Sequence, residues 1–373
     1  MKKSDHSLFL GRCAALMAFV INPALAAELQ PASSSTRLGR NNLLTYRDAN
    51  GAVQPVKTVA DWEKRRAEIL AGARQVMGPL PDDGKRCALD MKIEEETDCG
   101  AYVRRLISYA SEPNSRVPAY LLVPKSALAG GKPCRAVLCL HGTDHTLGHK
   151  VVVGLGGKAN RQYAVELAER GYVTLAPSYP LLANYQPDLK ALGHASGTMK
   201  AIWDNIRGLD LLESLPFVKR GGFGAIGHSL GGHNAVYTAV FDPRIKVIVS
   251  SCGLDSYLDY YSEKPEMWLP GKGWTQERYM PRLAEYRGRL AAIPFDFHEL
   301  IGALAPRVCY LSAPLHDSNF KWRSVDGIVA AASPVYRLHG APQNLRMDHP
   351  DCDHDFPTSS RETAYKLFDE HLR

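Results

Sequence analysis

The stretch GAIGHSLGGH, residues 224–233, decides how this sequence is interpreted. It contains the pattern G-x-S-x-G, in which Ser229 stands between Gly227 and Gly231. The apolar residues before it predict a strand that ends at the first glycine, and a helical pattern begins just after Leu230. In this strand–turn–helix context the turn strains the serine backbone and raises its hydroxyl above the sheet. We therefore predict that Ser229 is a nucleophile. We also predict that positions 227 and 231 must hold small residues so that the chain segments can approach each other.

The same stretch also satisfies a dinucleotide-binding pattern. Gly222, Gly224 and Gly227 have the spacing G-x-G-x-x-G. That fingerprint must follow a strand and open a helix, and an acidic residue about 20 positions later must bind the ribose. Here the first two glycines precede or begin the strand, and no acidic residue follows in that context. The sequence therefore argues against a nucleotide cofactor.

A serine hydroxyl needs a general base that is oriented by an acid, and candidates for both follow Ser229 in the chain. In this type of site the expected order is Ser, then Asp or Glu, then His. Asp317 comes just after the strand-like stretch RVCYLSAP, and His354 lies in the last loop before the C-terminal helix. We predict that Asp317 holds one imidazole nitrogen of His354 so that the other accepts the Ser229 proton.

Rival residues exist for both partners. Asp255 follows the preceding strand and is an alternative acid, and His349 is an alternative base, although it directly precedes a proline. The stretch DHPDCDHD also resembles a metal site, with His349, Cys352 and His354 as donors. It lacks histidines at i and i+4 on a helix and a second distant ligand pair, so we predict no metal.

The oxyanion of the tetrahedral intermediate needs two backbone N–H donors. Leu230 supplies one, since it begins the helix after the nucleophile. The second should come from the loop after the strand AVLCLHG, where Thr143 is our choice and Gly142 is the neighbouring option.

Strand-like and helical stretches alternate over most of the chain. This rhythm predicts an α/β fold with a doubly wound, mostly parallel sheet. Residues 27–99 are expected to form an N-terminal arm with an amphipathic helix at 58–78, followed by a hairpin at 101–125. The catalytic domain is expected to span 100–373, with an aromatic-rich insertion at 253–305.

The insertion at 253–305 is too long for a simple crossover and is rich in Tyr, Trp and Pro. It leaves one strand end and returns to the strand that precedes Asp317, so it begins beside the predicted site. We expect the insertion to be a substrate-facing lid and some of Tyr257, Tyr261, Trp268 and Trp274 to wall the pocket. The alternative is a structural excursion that packs its own aromatic side chains.

Residues 1–26 form a leader with a basic start, a short apolar run and small residues before the cleavage point. This pattern predicts a signal peptide cut after Ala26 or Ala27, and hence an exported protein, periplasmic or secreted. A membrane anchor or a buried helix is the alternative. Export permits disulfides, and Cys87 and Cys99 flank a charged segment that they could staple as a hairpin. Seven cysteines follow the leader, so at least one has no partner within the chain.

The charge of the chain argues against nucleic acid. The formal net charge is +6, of which the leader supplies +2, and no Lys/Arg run with interleaved aromatic residues occurs. After the leader, no apolar stretch reaches transmembrane length.

Four stretches together, GHSLGG, LHG, VPAYLLVP and HDFP, carry a resemblance to the α/β-hydrolase superfamily. The chain resembles its dienelactone-hydrolase-like, acetyl-xylan-esterase-like and prolyl-oligopeptidase-like branch, over roughly 100–373. The resemblance implies a serine hydrolase that works through an acyl-enzyme without a cofactor. The nucleophile is serine, unlike the cysteine of dienelactone hydrolases, which argues against that lactone activity.

From these features we predict a carboxylic ester hydrolase whose partner is a carbohydrate or other small-molecule ester. Acetylated carbohydrates and small aryl or alkyl esters are the expected substrates. A peptidase or amidase with the same triad is the first alternative, and a non-catalytic binding protein that kept the fold is the second.

Overall fold

The computed structural model describes residues 37–372, and its centre is a sheet of nine strands. In chain order the strands of the protein are β1 (Thr45–Arg47), β2 (Val53–Pro55), β3 (Lys92–Asp98), β4 (Tyr102–Glu112), β5 (Ser115–Pro124), β6 (Ala136–Leu140), β7 (Val173–Pro177), β8 (Phe223–His228), β9 (Ile245–Ser251), β10 (Val308–Ser312) and β11 (Leu345–Asp348). The helices are α1 (Val59–Met77), α2 (Lys125–Leu128), α3 (Tyr163–Glu169), α4 (Gly197–Ser214), α5 (Leu230–Phe241), α6 (Phe297–Ala303), α7 (Trp322–Leu338) and α8 (Thr358–His371).

The large sheet has the order β11-β10-β9-β8-β6-β7-β5-β4-β3, while β1 and β2 pair separately. Strands β6 to β11 pair in parallel, and β3, β4 and β5 join the sheet antiparallel to their neighbours. Strands β6, β7 and β8 are buried along their whole length because helices cover both faces of the sheet. The predicted doubly wound, mostly parallel sheet with an N-terminal hairpin is therefore confirmed.

Two hydrophobic clusters lie on opposite faces of the sheet. One contains residues of α1, α4, α5, α6 and α7, and the other contains residues of α3 and α8. Because strands β6 to β11 are parallel, their carboxyl ends lie at the same edge of the sheet, and the connecting loops meet there.

The N-terminal helix α1 closely matches the predicted range. Thr58 and Asp61 form a capping box at its start, and Trp62 on its inner face is fully buried. Arg65 of this helix donates to Glu299 of α6 at 2.8 Å. The helix therefore packs against the end of the 253–305 segment.

The segment 253–305 contains α6 and four short 3₁₀ helices, and it starts where β9 ends. The predicted signal peptide, 1–26, lies outside the described residues. Across 37–372 we find no helix with the length and apolar character to cross a bilayer.

The proposed Cys87–Cys99 pair is not formed, because both cysteines are free thiols. The charged segment between them is not a hairpin but contains the single extended strand β3. An extended strand of this length separates its ends by roughly 20 Å, whereas the Cα atoms of a disulfide lie less than about 7 Å apart.

Candidate active site

Ser229 lies on the sharp turn between β8 and α5. Its backbone has φ 56° and ψ −121°, a conformation that residues other than glycine rarely adopt. The Ser229 N–H donates to the carbonyl of Ser251 at 2.8 Å. Its hydroxyl does not cap the helix that follows. The turn thus presents the hydroxyl to the strand edge.

Two glycines make this turn possible. A Cβ placed on Gly227 would lie 2.2 Å from the backbone carbon of Gly231. A Cβ on Gly231 would lie 1.9 Å from the carbonyl oxygen of Leu140, at the end of β6. Neither position accepts a side chain, which is the constraint that the G-x-S-x-G pattern expresses.

His354 and Asp317 are joined by a direct hydrogen bond. The Nδ1 of His354 donates to the Asp317 carboxylate, with both oxygens at 2.9 Å. The Asp317 side chain is buried, and its Oδ1 also accepts from the N–H groups of Asn319 and Phe320. Because Nδ1 carries the proton, Nε2 of His354 presents a lone pair and can accept a proton.

The loops that carry these two residues are tied together. The backbone N–H of His316 donates to the carbonyl of Cys352 at 3.2 Å, next to both functional side chains. Arg161 pairs with Asp355 and donates to the His354 carbonyl at 3.1 Å. These contacts hold the imidazole in place while its ring stays partly exposed.

The rival residues point elsewhere. Asp255 accepts from the N–H of Lys321 at 3.3 Å, and its burial raises its pKa well above the usual value for a carboxyl. His349 uses both ring nitrogens, one on the Ala313 carbonyl at 2.7 Å and the other on Asp326 at 3.0 Å. The structure therefore pairs His354 with Asp317 and brings neither rival to Ser229.

The two residues predicted to donate to the oxyanion, Leu230 and Thr143, line the same cavity as Ser229. Leu230 is the first residue of α5, so its N–H has no acceptor within the helix. A Cβ on Gly142, which precedes Thr143, would lie 3.6 Å from the Ser229 Cβ. His141 holds this loop, since its Nδ1 bonds the Gly142 carbonyl and its Nε2 accepts from a backbone N–H. Burial lowers the pKa of His141 to about 4, so the ring is neutral at pH 7.

Two recesses meet at the nucleophile. The first, which we call the aromatic recess, has a volume of about 320 Å³. It is lined by Thr143, Ser229, Leu230, His233, Tyr260, Trp274, Tyr279, Asn319, Phe320 and His354. The second, which we call the polar recess, has a similar volume and shares Thr143, Ser229 and His354 with the first. Charged side chains of both signs, from Asp144, Lys158 and Arg161, lie in its wall. An ester bond at Ser229 can therefore place its acyl part in one recess and its alcohol part in the other.

Of the four aromatic residues predicted to line a pocket, the structure places Trp274 in the wall of the aromatic recess. Tyr257 and Trp268 are buried behind it and pack against each other edge to face. Tyr261 lies outside the wall, and its hydroxyl contacts Asn319 of the wall at 3.5 Å. The 253–305 segment also contributes Tyr260 and Tyr279, which our sequence analysis did not assign to the site.

Further wall residues were missed, although the sequence holds a signal for some of them. His233 stands four positions after Ser229, so it lies one helical turn further along the same face. Asn319 and Phe320 follow Asp317 closely and share its turn. Tyr279 has no such local signal, and its hydroxyl meets Thr143 at 2.9 Å through tertiary packing.

One group of potential metal ligands occurs among the described residues: His228, Cys252 and His354, whose donor atoms lie within 4.8 Å of one another. It differs from the metal pattern weighed in the sequence, since His349 and Cys352 are not part of it. The Cys252 thiol donates to the Asp355 carbonyl at 3.1 Å, and burial raises its pKa well above the usual range. His354 is bound to Asp317, and Nδ1 of His228 lies 3.1 Å from the Ser251 hydroxyl, so all three residues already have protein partners.

Comparisons with known proteins place this geometry in context. A family model described as fungal glucuronyl esterase matches residues 188–340, a range that includes Ser229 and Asp317. A glucuronoyl esterase from Solibacter usitatus superimposes with a TM-score of 0.70 at 20% identity, covering 88% of this chain and 97% of that one. The chain has the α/β-hydrolase fold. The predicted fold and the resemblance to serine esterases are thus confirmed, as is the predicted enzyme class, a carboxylic ester hydrolase.

Two curated relatives extend the comparison of this α/β hydrolase. YtaP of Bacillus subtilis, described as a hydrolase, is 26% identical over 76% of this chain and 91% of its own length. A 4-O-methyl-glucuronoyl methylesterase of Sodiomyces alcalophilus is 26% identical over 42% of this chain and 34% of its own length. The match therefore spans only about a third of the latter protein's length.

Proposed function

We propose that this enzyme hydrolyses an alkyl ester of a sugar acid, with a glucuronoyl ester as the substrate class, through an acyl-enzyme on Ser229. The observation that carries the proposal is the arrangement at the turn: Ser229 and His354 line one cavity, and Asp317 holds the imidazole at 2.9 Å. The similarity to glucuronoyl esterases supports the substrate class.

In the proposed mechanism the Ser229 Oγ attacks the ester carbonyl while Nε2 of His354 takes its proton. The N–H groups of Leu230 and Thr143 receive the oxyanion that forms. The alcohol departs with the proton from His354, which leaves the sugar acid bound to Ser229 as an ester. Water, deprotonated by the same imidazole, then releases the free acid and restores the enzyme.

The recess walls support a carbohydrate substrate. Tyr and Trp rings offer large apolar faces with polar tips, which suit the mixed faces of a sugar. Trp274, Tyr279 and Tyr260 provide such faces beside Ser229, and the Tyr279 hydroxyl is already held by Thr143. In a glucuronoyl ester the sugar is on the acyl side, whereas in an acetylated sugar it is on the alcohol side.

A substrate panel tests this proposal. The purified enzyme is given the methyl ester of a glucuronic acid glycoside, an acetylated xylo-oligosaccharide and a peptide anilide, and acid release is followed at constant pH. We expect kcat/KM to be highest for the uronate ester, by at least about tenfold, because only that substrate places a sugar on the acyl side. Methanol and free uronic acid should appear in equal amounts.

Each other outcome of the panel identifies an alternative. Preference for the acetylated oligosaccharide would replace the substrate class, and cleavage of the anilide would point to a peptidase. A protein that cleaves nothing and is not labelled at Ser229 by a fluorophosphonate probe would be a binding protein with a hydrolase fold.

We also propose that the enzyme is exported, on the strength of the leader pattern in 1–26. Expression of the full chain with N-terminal sequencing of the product tests this directly. A mature protein that begins at Ala27 or Glu28 is expected, and an intact leader on the purified protein would contradict export.

A further inference from the structure

Two ring nitrogens in the wall of the aromatic recess lack hydrogen-bond partners within the described part of the chain. They are Nε2 of His233 and Nε1 of Trp274. Both residues line the recess beside Ser229, and both are more than nine-tenths buried. Their rings are in contact, with centroids 4.5 Å apart. Buried polar atoms usually have a partner, so two neighbouring exceptions in a substrate cavity require an explanation.

The polarity of the two nitrogens is complementary. Nδ1 of His233 lies 3.1 Å from the Gly253 carbonyl, which can only accept, so Nδ1 carries the proton and Nε2 presents a lone pair. Burial lowers the pKa of His233 to about 3, which keeps the ring neutral in the working range of the enzyme. The Trp274 indole N–H can only donate. One acceptor and one donor therefore lie on two rings that are in contact.

We propose that His233 and Trp274 form a hydroxyl-recognition pair that selects esters whose sugar carries a free hydroxyl at one particular ring position. A hydroxyl is the simplest group that donates to one atom and accepts from another, so a single sugar hydroxyl satisfies both nitrogens. Both nitrogens are covered in the structure, so the proposal requires the Trp274 ring to turn when the sugar hydroxyl binds. This inference rests on the proposed function and specifies its selectivity.

Monodeoxy substrates test the pair. Methyl uronate esters that each lack one ring hydroxyl are compared with the complete ester in wild-type enzyme, and the same series is made for acetylated sugars. At one position the wild type should lose kcat/KM by about tenfold or more, because the deoxy analogue leaves both nitrogens unpaired. His233→Phe and Trp274→Phe should each reduce that discrimination to below about threefold. His233→Gln, whose amide oxygen can accept near the former Nε2, should restore part of it.

Trp268 offers a matched control. Its indole nitrogen is also buried without a partner, but the residue does not line the recess. Trp268→Phe should therefore keep the wild-type discrimination at every ring position. The proposal is overturned if both recess variants discriminate between the substrates as the wild type does. It is also overturned if Trp268→Phe loses as much discrimination as the two recess variants.

The two series keep this test separate from that of the proposed function. Cleavage of acetylated sugars alone would reject the uronate substrate, while the acetyl series still measures the pair. Cleavage of uronate esters with unchanged discrimination in the variants would reject the pair alone. An enzyme that cleaves neither series would overturn both.

Discussion

Ser229→Ala is expected to lower kcat by at least about 10⁴-fold on every ester that the enzyme cleaves, since loss of the nucleophile removes the covalent route. Ser229 is the only member of the proposed triad that forms a bond to the substrate. The residual rate should come from the oxyanion donors and from substrate binding. Stopped or continuous assays at saturating substrate measure the change in kcat. The fluorophosphonate probe, which should label Ser229 in the wild type, should not label the variant.

Ser250→Ala is a matched control for this variant. Ser250 lies at the end of β9 close to the turn, and its hydroxyl is buried without a partner among residues 37–372. Removal of that hydroxyl should change kcat by less than about threefold, because no hydrogen bond is broken. The melting temperature of Ser229→Ala should stay close to that of the wild type. Alanine is no larger than serine, and the serine hydroxyl makes no capping hydrogen bond that the substitution would remove. Retention of a tenth of wild-type turnover by Ser229→Ala would refute the assignment of the nucleophile.

The parts of this enzyme that could be predicted from the sequence are those that depend on local pattern and chain order. The turn at Ser229 needs glycines at fixed positions because the backbones of β6, β8 and α5 meet there. Asp317 and His354 follow strands that are recognisable by their apolar runs. Parallel strands bring such loops to one edge of the sheet, so their order alone suggested that the side chains would meet.

The parts that could not be predicted depend on which way a side chain faces in irregular structure. The part of the 253–305 segment that holds the two tryptophans has no regular helical or strand period. Nothing in the sequence therefore distinguishes Trp274, which lines the recess, from Trp268, which is buried behind it. The role of His141 in holding the Thr143 loop is likewise a tertiary effect, since its partner is the N–H of Tyr179 on a different loop. The missing Cys87–Cys99 bond reflects a strand where a hairpin had been expected.

Asp317→Asn is expected to lower kcat by about 10⁴-fold while the protein stays folded. The carboxylate accepts from Nδ1 of His354, and an amide nitrogen placed there would donate instead. The imidazole would then carry its proton on Nε2, where it cannot accept the proton of Ser229. Asparagine keeps the oxygen that accepts from the N–H groups of Asn319 and Phe320, so the loop should hold its shape.

Asp255→Asn separates this effect from the loss of any buried carboxyl near the site. Asp255 is 1% exposed, and burial raises the pKa of its carboxyl well above the usual value, which favours the neutral form that an amide resembles. Its replacement should change kcat by less than about tenfold, with the melting temperature of both variants measured alongside. If Asp255→Asn lost activity as severely as Asp317→Asn, or if Asp317→Asn alone kept its turnover, the acid would have to be reassigned. The expected contrast follows from position: of these two carboxyls, Asp317 bonds the imidazole that must receive the proton, whereas Asp255 bonds the N–H of Lys321.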